Sequence, residues 1–366
     1  MAYVQAPDKF IFTANPCPVA VGGLGTSETV KFTVQDWEGG ANLVELYLIA
    51  QSGTVSIDIG DILSRLSYFS QNTSPIIATS LGTSRAVLIK FTNSNGSTVH
   101  YSSIHYLVNG GKQLGDDNTY FGSGYAVSWL TEIERPTYFI GKPMRLAFAS
   151  DLSGANWSYP ISVKVGLYSG TTVLPLINVT LPTQKGFHVI DVGLLEKIVQ
   201  PTYPGEGGKY RLQVFTSTGA PITEQLTLKA GSLSTCDSVY LQWVNTLGGL
   251  DSYNFKLISH SKVVSATTVR ESERSLQPIN LKYKPTFKTT DKAVTESYRI
   301  VALGLTYSEA VGLRGVFESL EVIMLMPDGN YLPVIVSGDP VTVDKKTGLF
   351  DQELTITLPV KFTPSR

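Results

Sequence analysis

Two aspartates stand in matching surroundings, in the segments Ile57-Asp58-Ile59-Gly60 and Ile190-Asp191-Val192-Gly193. Each follows a strand-like pattern and precedes a short helical one, so this pair is the first candidate for acid–base chemistry. A general acid and a general base need surroundings that separate their pKa values, whereas a repeated motif places equivalent residues in equivalent surroundings. We therefore predict a structural role, in which each aspartate accepts backbone N–H bonds and the glycine two residues later occupies a helix N-cap position.

The residue types that bind metals or act as nucleophiles are scattered. Two histidines lie five residues apart in a β context, which places them on opposite faces of a strand, and the other two are isolated. The two cysteines are far apart in sequence and are expected to be buried thiols. A metal site needs clustered ligands, so we predict no metal, no cofactor and no catalytic residue. These residues are His100, His105, His188, His260, Cys17 and Cys236.

Sequence motifs of common enzymes are also missing. The chain contains no G-x-S-x-G, no P-loop and no Rossmann glycine pattern after a strand. Gly22-Gly23-Leu24-Gly25 leads into a strand pattern and indicates a loop. Hydrolysis of a surface polysaccharide would require two carboxylates in one cleft, and nothing in the sequence brings two together. We predict that the protein is not an enzyme.

Aromatic residues in polar, glycine-rich stretches leave two interpretations open. They could stack on sugar rings or anchor an interface, or they could close the ends of β sandwiches. Two further tryptophans lie in strand patterns and are expected in the core. The loop aromatics are Trp37, Tyr120, Phe121, Trp157 and Tyr159, and the strand tryptophans are Trp129 and Trp243.

Charge is scarce in this chain of 366 residues. Basic and acidic side chains nearly balance, at 29 and 30, and together they make up 16% of the residues, against about 25% in an ordinary soluble protein. Such a balance cannot neutralise many phosphates, so nucleic-acid binding is not expected. No apolar stretch of about 18 residues predicts a membrane span, and no secretory signal is expected. A surface poor in charge suits a protein covered by its neighbours.

Alternation with period two dominates the sequence. Segments such as Val30–Val34, Val163–Val165 and Leu354–Leu358 are rich in β-branched and aromatic residues, and clusters of Gly, Pro, Asn and Ser separate them. Helical patterns are limited to Asp61–Leu66, Leu194–Val199 and a longer amphipathic one at Ser308–Leu320. The predicted fold class is mainly β.

An internal repeat divides the chain. At an offset of 133 residues, Thr29–Phe32 matches Ser162–Val165 and Ile57–Ile62 matches Ile190–Leu195. We predict two homologous β-sandwich modules in tandem, each with one short helix, at residues 1–124 and 125–237. A C-terminal β-rich region with one amphipathic helix follows at 238–366. Its segment 261–295 is either an extended arm or an ordinary long exposed loop, and the sequence does not decide between immunoglobulin-like and jelly-roll modules.

Several segments together resemble one group of proteins. They are Phe10–Pro16, Ile57–Leu63, Trp129–Glu132 before Arg135-Pro136, Tyr240–Tyr253 with its Trp-Val-Asn-Thr-Leu-Gly-Gly run, and Phe317–Val336. The chain is similar in these segments to virion or tail-associated structural proteins of phages and prophages of Bacteroides-type bacteria, including crAss-like phages.

The resemblance implies a structural role in a virion, as a ring component of the tail or neck. Its expected partners are other copies of the chain and neighbouring phage tail or neck proteins, with no need for nucleic acid or a membrane. The protein would lie in the host cytoplasm before assembly. The alternative from a different class is a tail protein that binds glycans or a receptor through the loop aromatics.

Overall fold

The alternating pattern produces a mainly β protein, with 59% of residues in strands and 10% in helices. This computed structural model describes most of the chain, and every structural statement below concerns the described residues. They are residues 2–5, 10–12, 16–37, 39–66, 77–78, 84–93, 96, 98–101, 105–108, 127–151, 161–169, 176–181, 185–201, 203–205, 207–231, 237–271, 286–338 and 349–364. The predicted boundary at 124 lies outside them, and the division into regions stays a prediction.

The chain forms two compact units. The first comprises Met1–Leu233, Gln242–Tyr253 and Val311–Leu320. The second comprises Ser234–Leu241, Asn254–Ala310 and Glu321–Arg366. Both β modules of the repeat belong to the first unit.

The first module is built from two sheets and one short helix. One sheet has the order β1-β3-β6, and the other has the order β2-β10-β8-β4-β5, with β9 beside β8. The elements are β1 (Ala2–Gln5), β2 (Phe10–Phe12), β3 (Pro18–Gly22), β4 (Thr29–Asp36), β5 (Asn42–Ile49), β6 (Thr54–Asp58), α1 (Gly60–Ser64), β7 (Ile77–Ala78), β8 (Ser84–Asn93), β9 (Thr98–Tyr101) and β10 (His105–Val108).

The second module repeats this arrangement except for β9, which has no counterpart among the described strands. Its sheets have the orders β11-β13-β16 and β12-β18-β17-β14-β15, and β7 from the first module extends the smaller sheet beside β16. The elements are β11 (Val127–Trp129), β12 (Thr137–Phe139), β13 (Arg145–Asp151), β14 (Ile161–Ser169), β15 (Ile177–Leu181), β16 (Lys185–Asp191), α2 (Val192–Val199), β17 (Lys209–Thr216) and β18 (Leu226–Gly231).

The strand order decides between the two topologies that the sequence leaves open. In each module the first, third and sixth strands form one sheet, and the second strand pairs in parallel with the last strand of the other sheet, as β2–β10 and β12–β18. This is an immunoglobulin-like sandwich. Both modules bury the inward-facing residues of their alternating strands, as Val30 and Phe32 in β4 and Val163 and Val165 in β14 show. The predicted tandem duplication is confirmed.

Residues from Ser238 onward contain a seven-stranded sheet. Its order is β20-β19-β22-β23-β24-β21-β25, and β20 also pairs with β21. The elements are β19 (Ser238–Val244), β20 (Leu250–Glu271), β21 (Thr286–Leu305), α3 (Tyr307–Leu313), α4 (Gly315–Glu318), β22 (Val322–Leu325), β23 (Tyr331–Ser337), β24 (Phe350–Thr357) and β25 (Lys361–Pro364).

Part of the segment predicted as an arm or a loop forms a long antiparallel ribbon. From Ser259 the strand β20 pairs with β21 as far as the Glu271–Thr286 pair. At roughly 3.3 Å per residue these 13 residues extend about 40 Å. We call Ser259–Glu271 and Thr286–Arg299 the arm. Residues 272–285, between its strands, lie outside the described residues.

The strands β22 and β23 form a hairpin around the turn Pro327-Asp328-Gly329-Asn330. Val322 lies opposite Val334 in the β22–β23 pair, and the N–H of Met326 donates to the carbonyl of Asn330 at 2.8 Å. Asp328 accepts the N–H of Asn330 at 3.0 Å and holds the turn.

The predicted helix at Ser308–Leu320 is instead two short helices. Thr306 and Glu309 form a reciprocal capping box at the start of α3. At Arg314 the helix tightens, because its N–H donates to Val311 three residues back, and α4 begins at Gly315. The prediction that one apolar face extends to Leu320 is therefore wrong, because Leu320 is exposed.

Candidate functional site

The two repeated aspartates are structural, as predicted. Oδ1 of Asp58 accepts the backbone N–H of Cys17 at 2.8 Å and of Gly60 at 3.0 Å. Asp191 is the N-cap of α2 and accepts the N–H of Leu194 at 3.1 Å. Both carboxylates therefore fix the junction between a strand and a helix.

The N-cap positions of the two glycines were predicted wrongly. The N-cap of α1 is Ile59, and Gly60 is the first helical residue. The N-cap of α2 is Asp191, and Gly193 lies inside the helix. The aspartate occupies the cap of α2 itself because its extended backbone points the carboxylate at the first turn.

The residues that could bind a metal are not brought together. Among the described residues, no group of three or more His, Cys, Asp or Glu side chains could hold a metal ion. Cys17 and His188 are buried in separate modules, and His260 lies on the arm. Cys236 lies outside the described residues.

The aromatic candidates divide into two groups. Trp243 is buried, at the core position that was predicted for it. Trp129 is half-buried at the edge of the core, and its ring lies 5.7 Å from the ring of Phe148. Trp37 is 50% exposed, which suits a surface contact. Tyr120, Phe121, Trp157 and Tyr159 lie outside the described residues.

A buried set of polar groups in the first unit is the most connected site among the described residues. Asn245 uses all four of its side-chain hydrogen-bonding positions. Its Nδ2 donates to the carbonyl of Leu130 and to Oδ2 of Asp251, both at 2.8 Å. Its Oδ1 accepts the N–H groups of Leu247 at 3.1 Å and Gly249 at 2.9 Å. The amide thus joins a turn in its own segment to a strand end 115 residues away.

Asp251 adds hydrogen bonds between the same two segments. Oδ1 accepts the hydroxyl of Thr131 at 2.5 Å, and Oδ2 accepts the N–H of Glu132 at 3.2 Å. Glu132 in turn accepts the hydroxyl of Thr246. We call Leu130, Thr131, Glu132, Asn245 and Asp251 the polar clamp.

Burial raises the pKa values of the two carboxyl groups in the clamp. Burial raises the pKa of Asp251 above its ordinary range, against the lowering effect of its three donors. The pKa of Glu132 is raised mainly by burial, with a further contribution from the charge of Asp251. Both carboxyl groups accept hydrogen bonds from neighbouring groups of the protein, so they fit a structural lock.

Sequence reasoning did not find the clamp. Asn245 and Gly249 stand in the Trp-Val-Asn-Thr-Leu-Gly-Gly run that contributes to the phage resemblance, and that run was the available signal. Its role follows only from contacts with Leu130 and Glu132, which are remote in sequence.

A buried histidine predicts acid sensitivity. His188 is fully buried, its ring lies 5.0 Å from that of Phe148 in a tilted arrangement, and burial lowers its pKa to about 4. Because the unfolded chain binds a proton near pH 6.5, stability is complete above that pH and falls as pH drops toward 4. The loss is about 3 kcal/mol at roughly 1.36 kcal/mol per pKa unit. We expect His188→Phe to remove this part of the pH dependence in urea unfolding. An NMR titration of His188 near pH 6.5 in the folded protein would contradict this expectation.

One sheet edge of the first module carries large apolar side chains. The strand β5 is an edge strand, and its residues Tyr47 and Ile49 are 70% and 67% exposed. Nζ of Lys31 lies 2.9 Å from a carboxylate oxygen of Glu45 in β5, so the negative charge of Glu45 at this edge is already paired. Long edge strands with exposed apolar residues favour pairing with another chain.

The arm presents a second apolar surface. Val263 and Val264 are 61% and 55% exposed and point to opposite faces of the ribbon. Cross-strand contacts stabilise the arm internally: His260 stacks on Tyr298 at 4.4 Å, and Lys262 pairs with Glu296 at 3.2 Å. The valines have no comparable internal role and are available for an interface.

Comparisons with known proteins give only distant structural likeness. The chain is similar to the extracellular domains 3–5 of Drosophila OTK, with 10% identity, a TM-score of 0.21, and coverage of 81% of this chain and 91% of that one. It is similar to the chicken CNTN1 FN1–FN3 domains at 9% identity and a TM-score of 0.19, covering 81% of this chain and 93% of that one. The Plexin A4 extracellular region matches at 10% identity and a TM-score of 0.20, over 98% of this chain and 46% of that one. No protein-family model and no curated protein matches the sequence.

No helix in the described part of the chain is long and apolar enough to cross a membrane.

Proposed function

We propose that this chain is a structural protein of a phage particle, located in the tail or neck, where copies of it join into a closed ring. The resemblance of its Tyr240–Tyr253 and Phe317–Val336 segments to phage virion proteins supports the setting. The duplicated immunoglobulin-like modules and the low charge support an assembled protein and not an isolated one.

The arm is the observation that carries the proposal. Within the arm β21 has partners on both sides over Asp291–Val294 and Ser297–Arg299, where it also pairs with β25 and β24, so the unpaired edge of the arm is that of β20. An unpaired edge strand favours pairing with another chain. Along the described residues, no strand pairs with β20 on the side away from β21 within the arm. Exposed Val263 and Val264 add apolar area that a neighbouring copy would bury.

Assembly would proceed through strand pairing and apolar burial. A contact between two different surfaces of the same chain is heterologous, and it closes into a ring when the rotation per subunit divides a full turn. Because charge is sparse and balanced, association would depend little on electrostatic steering and only weakly on salt. The partners would be copies of the chain and neighbouring tail or neck proteins, in the host cytoplasm before assembly and in the virion afterwards.

A charge on the arm should block assembly. In Val264→Lys the new ammonium group would have to be buried at the subunit contact, so we expect the high-mass species in light scattering to be replaced by monomer. Ile198→Lys is the matched control, because Ile198 is an exposed aliphatic residue of α2 in the first unit. Equal masses for Val264→Lys and the unmodified protein would contradict the role of the arm.

Exposed Trp37 supports a second candidate function, a tail protein that binds glycans or a receptor. Such a protein need not self-associate. A monomer at every concentration, together with glycan binding that Trp37→Ala removes, would favour this candidate over the ring.

A further inference from the structure

One sheet edge is covered in the second module and open in the first. The strands β6 and β16 are equivalent in the repeat, each being the third strand of the smaller sheet. On β16 the chain adds β7, with Ile77 opposite Ile190 and Ala78 opposite Val189. Among the described residues, β6 pairs with β3, and Thr54 at its start also bridges Gln51, so its open edge begins at Ser56. The protein itself therefore shows that this type of edge accepts an extended segment.

The backbone of β6 can accept such a segment. The N–H of Ile59 donates to the carbonyl of Cys17, on the β3 side. Because donors alternate along an antiparallel strand, the N–H and C=O of Ser56 point to the open side. The pairing of β6 with β3 is regular from Thr54 to Asp58, without the bulge that would close an edge.

The side chains of β6 do not protect the edge. Natural edges are usually guarded by charged residues or proline. Residues Thr54, Val55, Ser56 and Ile57 are uncharged, and the carboxylate of Asp58 is held by the N–H groups of Cys17 and Gly60.

The loop of the second module that corresponds to the β7 segment cannot supply the missing strand. It follows α2 and is short, with prolines at Pro201 and Pro204. It is also hydrogen-bonded to its own module. The N–H of Ala230 donates to the carbonyl of Gly208 at 2.8 Å, and the carbonyl of Ala230 accepts the N–H of Gly207 at 3.0 Å. A segment that pairs with β6 therefore does not come from this loop.

We propose that β6 of one copy pairs with the open edge of β20 in the arm of a second copy. The edge of β6 from Ser56 and the edge of β20 along the arm are extended, contain uncharged residues, and have no strand partner on this side among the described residues. This inference rests on the proposed self-assembly, and it names the two surfaces that meet. The contact is heterologous, as a closed ring requires.

Proline at Ser56 tests the acceptor side. Ser56→Pro removes an outward N–H while leaving the bonds of Val55 and Ile57 to β3, so the module keeps its fold. We expect the concentration needed for assembly to rise by about tenfold or more, with an unchanged circular dichroism spectrum. Ser56→Ala keeps the N–H and is the matched control, expected to assemble normally.

Cysteine pairs test the contact directly. Chains with Ser56→Cys are mixed with chains carrying Val263→Cys or Val264→Cys, all in a Cys17→Ala, Cys236→Ala background. A disulfide also needs Cα atoms within about 7 Å of each other, so the cysteine of the arm is moved in turn along Val263–Val269 to find the position opposite Ser56. We expect one pair to form an intermolecular disulfide on oxidation, and Ile198→Cys in place of the arm cysteine to form none.

The outcomes separate the two proposals. If the unmodified protein assembles but Ser56→Pro has no effect and no position along Val263–Val269 cross-links, the β6–arm contact is wrong and the ring proposal stands. If the unmodified protein is monomeric at every concentration, both are wrong. Assembly that Ser56→Pro weakens, with a cross-link at one position of the arm, establishes the contact.

Discussion

Gly249→Ala is expected to prevent accumulation of folded protein. A Cβ atom at this position would lie 1.8 Å from the carbonyl oxygen of Leu130. That oxygen belongs to the backbone and is already held by Asn245 at 2.8 Å, so it cannot move aside without breaking the clamp. Overpacking of this kind costs about 3 kcal/mol or more, and loss of the clamp adds to it.

The measurement is soluble yield followed by thermal unfolding. Gly25→Ala is the matched control, because its Cβ would meet only the flexible side chain of Glu28 at 3.4 Å. A melting temperature for Gly249→Ala within about 2 °C of the unmodified protein, equivalent to roughly 1 kcal/mol at this size, would show that the close approach to Leu130 is unimportant.

Asn245→Asp is expected to lower the free energy of unfolding by about 3–5 kcal/mol. The substitution replaces the Nδ2 donor by an oxygen that faces the Leu130 carbonyl and the Asp251 carboxylate, both 2.8 Å from Nδ2 in the native protein. Two carboxylates would then share one buried site. The penalty should shrink at acid pH, where one of them is protonated.

Asn330→Asp provides the chemically matched control. The amide of Asn330 also donates to an aspartate, Asp328, at 2.8 Å, but this pair lies in an exposed turn. There we expect a change of at most about 1 kcal/mol, because water screens the new repulsion. If urea unfolding gave equal losses of unfolding free energy for the two variants, burial would not explain the contribution of the clamp to stability.

Local patterns predicted the parts of the fold that local physics determines. The Pro-Asp-Gly-Asn turn between β22 and β23 formed because its residues favour the turn on their own. The Ile-Asp repeat located two equivalent strand-to-helix junctions. The helix predicted at Ser308–Leu320 is longer than the observed ones. Gly312 and Gly315 weaken it, and at both positions the backbone lies too close to Glu132 for a side chain to fit.

The candidate site depended on contacts that local patterns do not encode. Asn245 meets Leu130 across 115 residues. The strand β7 has two residues and exists only because β16 pairs with it, so no alternation marks it in the sequence. The same holds for the open edge of β6, which is visible only when the two modules are compared strand by strand.

Self-association is the central claim, and the molar mass of the unmodified protein in solution tests it most directly. Light scattering across a concentration series, with negative-stain images of the same samples, would measure it. We predict one high-mass species that appears as closed rings. A clean monomer at every concentration would contradict the account.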